Sequence, residues 1–189
     1  MNSKNKKNLI LIVSPLNIKR KVIIKNLKKK IDFYKMILTT TRPKRPQEIE
    51  GKDYYFVSWK QFENLTDNNK LITSFKQKDN YYGVTKAELE VANQSGLPMI
   101  WSTHLERALK IKRKLPNIKI IFIAISLTIL EEELIKMGVI AQNVINLKII
   151  KAKRETDKAL TAVDFVINVK GNQFQKITKE LVKAIQKFK

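Results

Sequence analysis

Four short apolar runs place the strongest constraint on how this chain of 189 residues can fold. They occupy residues 8–14, 97–103, 118–125 and 164–169. Continuous apolar runs of this kind are typical of strands that are buried on both faces, as they are in a parallel sheet. Segments with helical spacing of apolar residues lie between them, so strands and helices alternate along the chain. This pattern predicts an α/β fold with a parallel-sheet core.

A second, more polar group of strands is predicted between residues 37 and 90. Leu71–Phe75 and Asn80–Val84 contain strand-forming residues but are less apolar than the four runs above. We therefore expect a small mixed sheet that is inserted into the parallel-sheet fold rather than being part of its core.

Capping signals predict where two of the helices begin and end. Thr85–Glu88 and Thr128–Glu131 both have the sequence of a capping box, which opens a helix. Gly96 and Gly138 are expected to close these two helices, because glycine tolerates the left-handed backbone of a helix C-terminus. Gln142–Thr156 is predicted to form a third, basic helix.

The residue types that are absent exclude several kinds of chemistry. The chain has no cysteine, which excludes disulfides, zinc–thiolate sites and a cysteine nucleophile. His104 is the only histidine, so one chain cannot form a metal site from several histidines. No metal site is predicted.

The net charge of +21 favours anionic partners, which include nucleotides, nucleic acid and acidic lipid. A composition rich in lysine, isoleucine and asparagine can also reflect genomic base bias, so the charge alone does not choose between these partners.

No apolar run approaches the roughly 20 residues of a membrane span. The apolar run Leu9–Val13 is short for a signal peptide, and no small-residue cleavage site follows it. We expect a cytoplasmic protein.

The segment Thr39–Ser58 carries the clearest functional signal. Arg42 and Arg45 present planar, permanently charged groups that suit a phosphate, and the flanking prolines keep the segment out of a helix. A solvated turn between two strands is the alternative explanation for an Arg-x-x-Arg pair considered alone.

The longer string TTRPKRPQEIEGKDYYFVSWKQFE (40–63) resembles the monophosphate-binding segment of guanylate kinases, which move a phosphoryl group from ATP to GMP. The resemblance continues through 80–85, 115–116, 122–124 and the strand at Asp164, and so covers nearly the whole chain. It implies the fold of a P-loop nucleoside-monophosphate kinase. The implied parts are a core at 1–36, 97–127 and 152–189, a GMP-binding-type insertion at 37–96, and a helical lid at 128–151.

By this resemblance, five residues form the site for the substrate phosphate. Arg42, Arg45, Tyr54 and Tyr82 stand where the family grips the phosphate of GMP, and Glu48 stands where a glutamate supports the arginines. Two guanidinium groups and two phenol hydroxyls are also a physically suitable set of donors for one phosphate. The alternative is that the two tyrosines are half-buried strand residues without a ligand.

The ATP-binding loop of the family is not matched in the same way. Guanylate kinases have a glycine-rich loop after the first strand, whereas Ser14–Val22 contains no glycine and Gly51 is the first glycine of the chain. Such loops need glycine because backbone N–H groups must approach the phosphates closely. Arg20 aligns with the family lysine, and no hydroxyl for Mg²⁺ follows it at Lys21 or Val22. The side chains expected to obstruct phosphate are those of Leu16, Asn17 and Lys19.

Other family positions are changed as well. The residues that read guanine, a glutamate and two serines, are replaced by Thr73, Val84 and Leu38, and selectivity for guanine is expected to collapse. An Asp-x-Asp pair near the metal is replaced by Ser102 and His104. The arginine positions of the lid align near Glu133 and Met137, and a third basic position aligns with Lys148. The adenine-contacting asparagine is in doubt at Asn168, because no acidic residue follows Val169.

The sequence therefore leads to three hypotheses. The first is a guanylate-kinase-like protein that binds a nucleotide, or another anion such as a phosphorylated partner, but is catalytically inactive or strongly impaired. The second is a divergent active kinase in which Arg20 and neighbouring lysines replace the loop. The third is a basic nucleic-acid-binding protein on the same fold. No catalytic residue and no cofactor are assigned, since Mg-ATP is implied only if the protein is active, and the oligomeric state is left open.

Overall fold

The computed structural model describes residues 9–17, 20–169 and 174–188, and contains nine strands and seven α-helices within them. The strands are β1 Leu9–Val13, β2 Tyr34–Lys35, β3 Leu38–Thr40, β4 Tyr54–Phe56, β5 Leu71–Gln77, β6 Asn80–Thr85, β7 Met99–Ser102, β8 Lys119–Ile125 and β9 Phe165–Val169. The helices are α1 Arg20–Lys28, α2 Trp59–Asp67, α3 Lys86–Gln94, α4 Leu105–Lys114, α5 Leu127–Lys136, α6 Gln142–Ala162 and α7 Phe174–Lys187. A short 3₁₀ turn, Pro15–Asn17, follows β1.

The strands form two sheets of different character. The larger sheet has the order β2-β7-β1-β8-β9, and β8 pairs in parallel with both β1 and β9. The smaller sheet has the order β4-β3-β6-β5, with β3 parallel to β4 and antiparallel to β6. The predicted α/β fold, with a parallel core sheet and a separate small mixed sheet, is confirmed.

The described chain divides into two compact units. The small unit is Tyr34–Met99, and the large unit consists of residues 9–33 and 100–188. Strands β1 and β8 form the centre of the large unit, and nearly every residue in them is buried. Apolar side chains from α1, α5, α6 and α7 join them in one cluster, which explains why the apolar runs are continuous rather than alternating.

Glu88 on α3 joins distant segments of the small unit. Its side chain is buried, and its carboxylate accepts the backbone N–H of Ile37 at 2.7 Å and the hydroxyl of Tyr55 at 3.2 Å. Burial and the nearby Glu88 carboxylate raise the pKa of Tyr34 to about 12. The Thr85 hydroxyl caps α3 by accepting the Glu88 N–H, as predicted. The Glu88 carboxylate, however, bonds to Ile37 and Tyr55, so the structure shows only the Thr85 half of a capping box.

The capping box predicted at Thr128–Glu131 is wrong. Ser126 directly follows β8 in extended conformation, and its hydroxyl accepts the Ile129 N–H, so α5 begins at Leu127. A complete box lies instead at Ser58 and Gln61, where each side chain bonds to the other residue's backbone. The predicted basic helix is present but extends to Ala162.

Replacing Glu88 by alanine is expected to destabilise the protein by about 2 kcal/mol, because it leaves the Ile37 N–H and the Tyr55 hydroxyl without their acceptor. Urea unfolding followed by circular dichroism measures this loss. Glu90→Ala, an exposed glutamate on the same helix, is the control and should change stability by less than about 0.5 kcal/mol. Equal effects of the two substitutions would contradict the role given to Glu88.

Candidate functional site

The phosphate-binding residues predicted from the sequence lie around the segment between β3 and β4. Because these strands pair in parallel, with Leu38 opposite Tyr54 and Thr40 opposite Phe56, the intervening segment must return along the sheet. It leaves β3 at Thr41–Arg42 and re-enters the sheet at Tyr54. The Arg42 guanidinium lies against the Tyr54 ring, although twelve positions separate the two residues in the sequence.

Arg42 and Glu48 form the central ion pair of this segment. Arg42 Nη2 donates to Glu48 Oε1 at 2.6 Å and to Oε2 at 2.9 Å, and the two side chains are only 14% and 18% exposed. The bond to Glu48 raises the pKa of Arg42, and the same bond lowers the pKa of Glu48. Glu48 also accepts the backbone N–H of Arg45 at 2.9 Å, so it fixes both arginine positions.

Aromatic rings surround the Arg42 guanidinium. Its Cζ atom lies 5.3 Å from the ring centroid of Tyr54 and 5.6 Å from that of Phe56. The Tyr82 ring meets Tyr54 edge-on with centroids 6.0 Å apart, and Phe75 stacks on Tyr82 at 5.3 Å. Burial raises the pKa of Tyr54, so its hydroxyl stays protonated and can donate a hydrogen bond at neutral pH.

The structure thus brings four of the five predicted residues into one group: Arg42, Glu48, Tyr54 and Tyr82. Arg45 contributes its backbone N–H to Glu48, while the residue itself is exposed. A guanidinium oriented by a carboxylate, with phenol hydroxyls beside it, can bind a phosphate through charge-assisted hydrogen bonds.

The three positions predicted to have lost guanine reading also lie in the small unit. Thr73 and Val84 are opposite each other in the pairing of β5 with β6, and both are buried. Leu38 is partly buried at the start of β3. A buried threonine and two aliphatic side chains offer no ionised hydrogen-bond acceptor for the N–H groups of a guanine base.

The turn after β1 in the large unit has an unusual backbone. Leu16 lies in the left-handed region, with φ 49° and ψ 16°. For a residue with a Cβ this conformation costs roughly 1–2 kcal/mol, which is why glycine is the usual residue there. Asn17 and Lys19 are also predicted to obstruct the approach of a phosphate, but their side chains lie outside the part of the chain that the structure describes.

Glu155 on α6 lies near this turn and near the start of α4. Burial raises the pKa of its carboxyl group, and the nearby backbone N–H groups of Leu105 and Leu16 oppose this rise. The Thr103 N–H donates to the Ile12 carbonyl at 3.1 Å, which sets the end of β7 beside the end of β1. Sequence analysis did not identify Glu155. Its only signal is that it is the first acidic residue of a helix that is otherwise basic up to Arg154.

Positively charged side chains gather near the same turn. We call Arg20, Arg107 and Lys151, together with His104, the cationic cluster. Burial and the nearby Arg20 lower the pKa of Arg107 to about 10, and its Nη1 donates to Thr103 Oγ1 at 3.2 Å. Burial, followed by the charges of Arg20, Arg107 and Lys151, lowers the pKa of His104 to about 4, so His104 is neutral at pH 7. Sequence analysis included Arg20 and His104 but missed Arg107.

These residues do not provide a site for Mg²⁺. Magnesium prefers oxygen ligands, but the positions where the resemblance implies metal-binding groups carry Lys21 and Val22 in α1, and Ser102 and the neutral His104 at the end of β7. Within residues 9–17, 20–169 and 174–188, no group of three or more His, Cys, Asp or Glu side chains could hold a metal ion.

The predicted lid falls on α5 and α6. Glu133 is buried, with Lys136 Nζ 3.5 Å from its Oε1, whereas Met137 is 68% exposed and Lys148 is partly buried. Asn168 is exposed on β9, and residues 170–173 lie outside the described chain.

No helix in the described part of the chain is both long and apolar enough to cross a membrane.

Comparison with known proteins gives consistent results. The family model "Guanylate kinase" matches residues 6–188. The guanylate kinase of Rickettsia felis is 32% identical over 187 residues, which cover 98% of this chain and 96% of that protein. The guanylate kinase of Streptococcus thermophilus is 31% identical over 150 residues, covering 78% and 72%. The crystal structure of guanylate kinase from Anaplasma phagocytophilum has a TM-score of 0.66 at 24% identity, covers 97% of this chain and 86% of that one, and supports the fold.

His104 is expected to titrate near pH 4 in the folded protein instead of near 6.5. Because the unfolded chain takes up this proton first, His104 should lower stability as the pH falls from about 6.5 towards 4. An NMR titration measures the pKa directly, since the chain has one histidine. His104→Gln should reduce the acid destabilisation in this range. A midpoint near 6.5 in the folded protein would show that His104 is not shielded by burial and positive charge.

Proposed function

The chain belongs to the guanylate kinase family, and from this premise we propose that it binds a nucleoside monophosphate at Arg42 while transferring phosphate slowly or not at all. The observation that carries the proposal is the group formed by Arg42, Glu48, Tyr54 and Tyr82. This group contains the charge, the orientation and the neutral donors that a phosphate requires, whereas the turn after β1 and its surroundings are altered.

Binding of the monophosphate is supported by how Arg42 is held. Nη2 donates to both Glu48 oxygens and Nη1 donates to the Pro43 carbonyl at 2.7 Å, so two nitrogens fix the plane of the guanidinium, and the rings of Tyr54 and Phe56 pack beside it. A fixed guanidinium loses little conformational entropy when a phosphate arrives, so more of the interaction energy contributes to affinity. The Tyr54 and Tyr82 hydroxyls are the additional donors for the phosphate oxygens.

Slow phosphoryl transfer is supported by the altered turn after β1. The Leu16 N–H, which belongs to the segment that should bind phosphate, lies near the Glu155 carboxylate and helps to lower the pKa of that group. The chain carries valine and lysine where a metal-binding hydroxyl is expected, and Glu133 and Met137 occupy positions expected to carry lid arginines. Loss of one arginine that stabilises the transferring phosphoryl group costs about 10³-fold or more in rate.

Arg42→Ala should weaken binding of GMP by about 10- to 100-fold, because it removes charge-assisted hydrogen bonds to the phosphate. Isothermal titration calorimetry with GMP measures the change. Lys44→Ala is the matched control, since Lys44 is an exposed cation two positions away in the same segment. If both substitutions weaken binding equally, general charge attraction is responsible and Arg42 has no specific role.

The second candidate is a divergent active kinase, and the cationic cluster is the observation that favours it. Arg20 begins α1 at the position of the family lysine, and Arg107 lies near it. These groups attract polyphosphate even though the turn is altered. Nucleic acid and phosphorylated proteins stay predictions based on the net charge of +21 and on the phosphate-binding group.

A coupled assay of ADP formation with ATP, GMP and Mg²⁺ separates the two candidates. We expect kcat below about 0.01 s⁻¹, more than a hundredfold below the range of about 1–100 s⁻¹ that is common for kinases. Turnover within that range that is abolished by Arg20→Ala would establish the active kinase and refute impaired transfer.

A further inference from the structure

We infer that the outer face of α1 and α7, in the large unit, binds double-stranded nucleic acid without sequence preference. Six exposed lysines define this surface, which we call the lysine face: Lys25 and Lys28 on α1, Lys29 directly after it, and Lys176, Lys179 and Lys183 on α7. The inference does not rest on the proposed function, because the lysine face includes neither the Arg42 group nor the turn after β1.

Each of the two helices has a buried apolar side and an exposed basic side. The lysines of each set are three or four positions apart, or adjacent, so each set shares one side of its helix. The opposite sides are buried in the core through Ile23 and Leu27 of α1 and Ile177 and Leu181 of α7. Because the core holds the apolar sides, the lysines point to solvent.

The two basic sides belong to one surface, because α1 and α7 pack against each other. The axes of packed helices are about 8–10 Å apart, so the two rows of lysines lie side by side. Residues 20–30 contain six basic and no acidic residues, and α7 contains four lysines and one acidic residue, Glu180. Carboxylates that could neutralise the lysines are therefore scarce on this face.

The six lysines form no ion pair with any residue in the described part of the chain. Lysines elsewhere in the large unit do form ion pairs, such as Lys112 with Asp164 and Lys158 with Glu106. Each row of the lysine face also contains two lysines four positions apart, an arrangement of like charges that destabilises a helix. A polyanion that lies across both rows relieves this repulsion.

The make-up of the lysine face favours nucleic acid over an anionic membrane. Binding to a membrane surface draws on buried apolar area as well as on charge, but Val22 is the single large apolar side chain exposed on the described parts of the two helices. Non-specific binding of nucleic acid needs only cations that neutralise phosphates, and phosphate contacts carry no sequence information.

The same face favours a duplex over a single strand. The described side chains of α1 and α7 include no aromatic group on which an unpaired base could stack. A duplex presents phosphates at a high linear density, which two adjacent rows of lysines can contact together.

The test measures binding of the full chain to a fluorescently labelled DNA duplex by fluorescence anisotropy, at a series of NaCl concentrations. We expect log K to fall with log [NaCl] with a slope of about −5, because each phosphate that a lysine neutralises contributes about −0.9. A second duplex of different sequence should bind with the same affinity. Absence of duplex binding at low salt, or a strong preference for one sequence, would overturn the inference.

The double substitution Lys25→Gln/Lys183→Gln removes one lysine from each row. It should weaken duplex binding at least about tenfold and make the salt slope shallower by about 2. Lys110→Gln/Lys153→Gln is the matched control, because it removes two exposed lysines from α4 and α6 and changes the net charge equally. If the two double variants bind the duplex equally weakly, the net charge of the chain explains binding and the inference fails.

Circular dichroism and thermal unfolding show whether both double variants are folded. Vesicles of phosphatidylcholine and phosphatidylserine provide the membrane alternative. Sedimentation of the chain with these vesicles, without binding of the duplex, would show that the lysine face binds membranes and would overturn the inference.

Binding of GMP distinguishes this inference from the proposed function. Lys25→Gln/Lys183→Gln should bind GMP as the unaltered chain does, and Arg42→Ala should bind the duplex as the unaltered chain does. Failure of the unaltered chain to bind GMP contradicts only the Arg42 proposal, and its failure to bind the duplex contradicts only the inference about the lysine face.

Discussion

In each unit, a glutamate on a helix lies against polar groups of segments distant in the sequence. In the small unit, the Glu88 carboxylate on α3 accepts the Ile37 N–H and the Tyr55 hydroxyl, and in the large unit, Glu155 on α6 lies near the backbone N–H groups of Leu16 and Leu105. Burial raises the pKa of both carboxyl groups, because it disfavours their charged form. The polar groups around each carboxylate lower its pKa and so offset part of this cost. Glu88 and Glu155 each lie against segments that border a candidate site, so the two glutamates help to hold these segments in place.

The charged groups of the two units are arranged differently. In the small unit, Glu48 neutralises Arg42 directly and fixes its orientation, so the site has little excess charge and relies on geometry. In the large unit, burial and the positive charges of Arg20, Arg107 and Lys151 lower the pKa of His104.

Much of the fold could be predicted, because the signals for it are local. Continuous apolar runs indicated the parallel core, and the string from Thr40 to Glu63 indicated the family. The start of α5 was predicted wrongly, because Thr128–Glu131 has the sequence of a capping box. The helix is capped instead by Ser126, directly after β8, and begins at Leu127. Arg107 and Glu155 were missed because their contacts are with residues brought near only by folding, and an arginine and a glutamate in basic helices look like ordinary surface residues.

The sequence by itself determined the α/β class, the family and the residue types at the phosphate-binding segment, since periodicity and motif spacing are properties of neighbouring residues. Only the tertiary structure decided which groups act together. It placed Tyr82 beside Tyr54 and Arg42, gave Leu16 its left-handed backbone, and gathered Arg107 with Arg20 near Glu155. Hydrogen bonds and charge interactions act over a few ångströms in space, whatever the separation along the chain, so the pairing of strands and helices determines these groups.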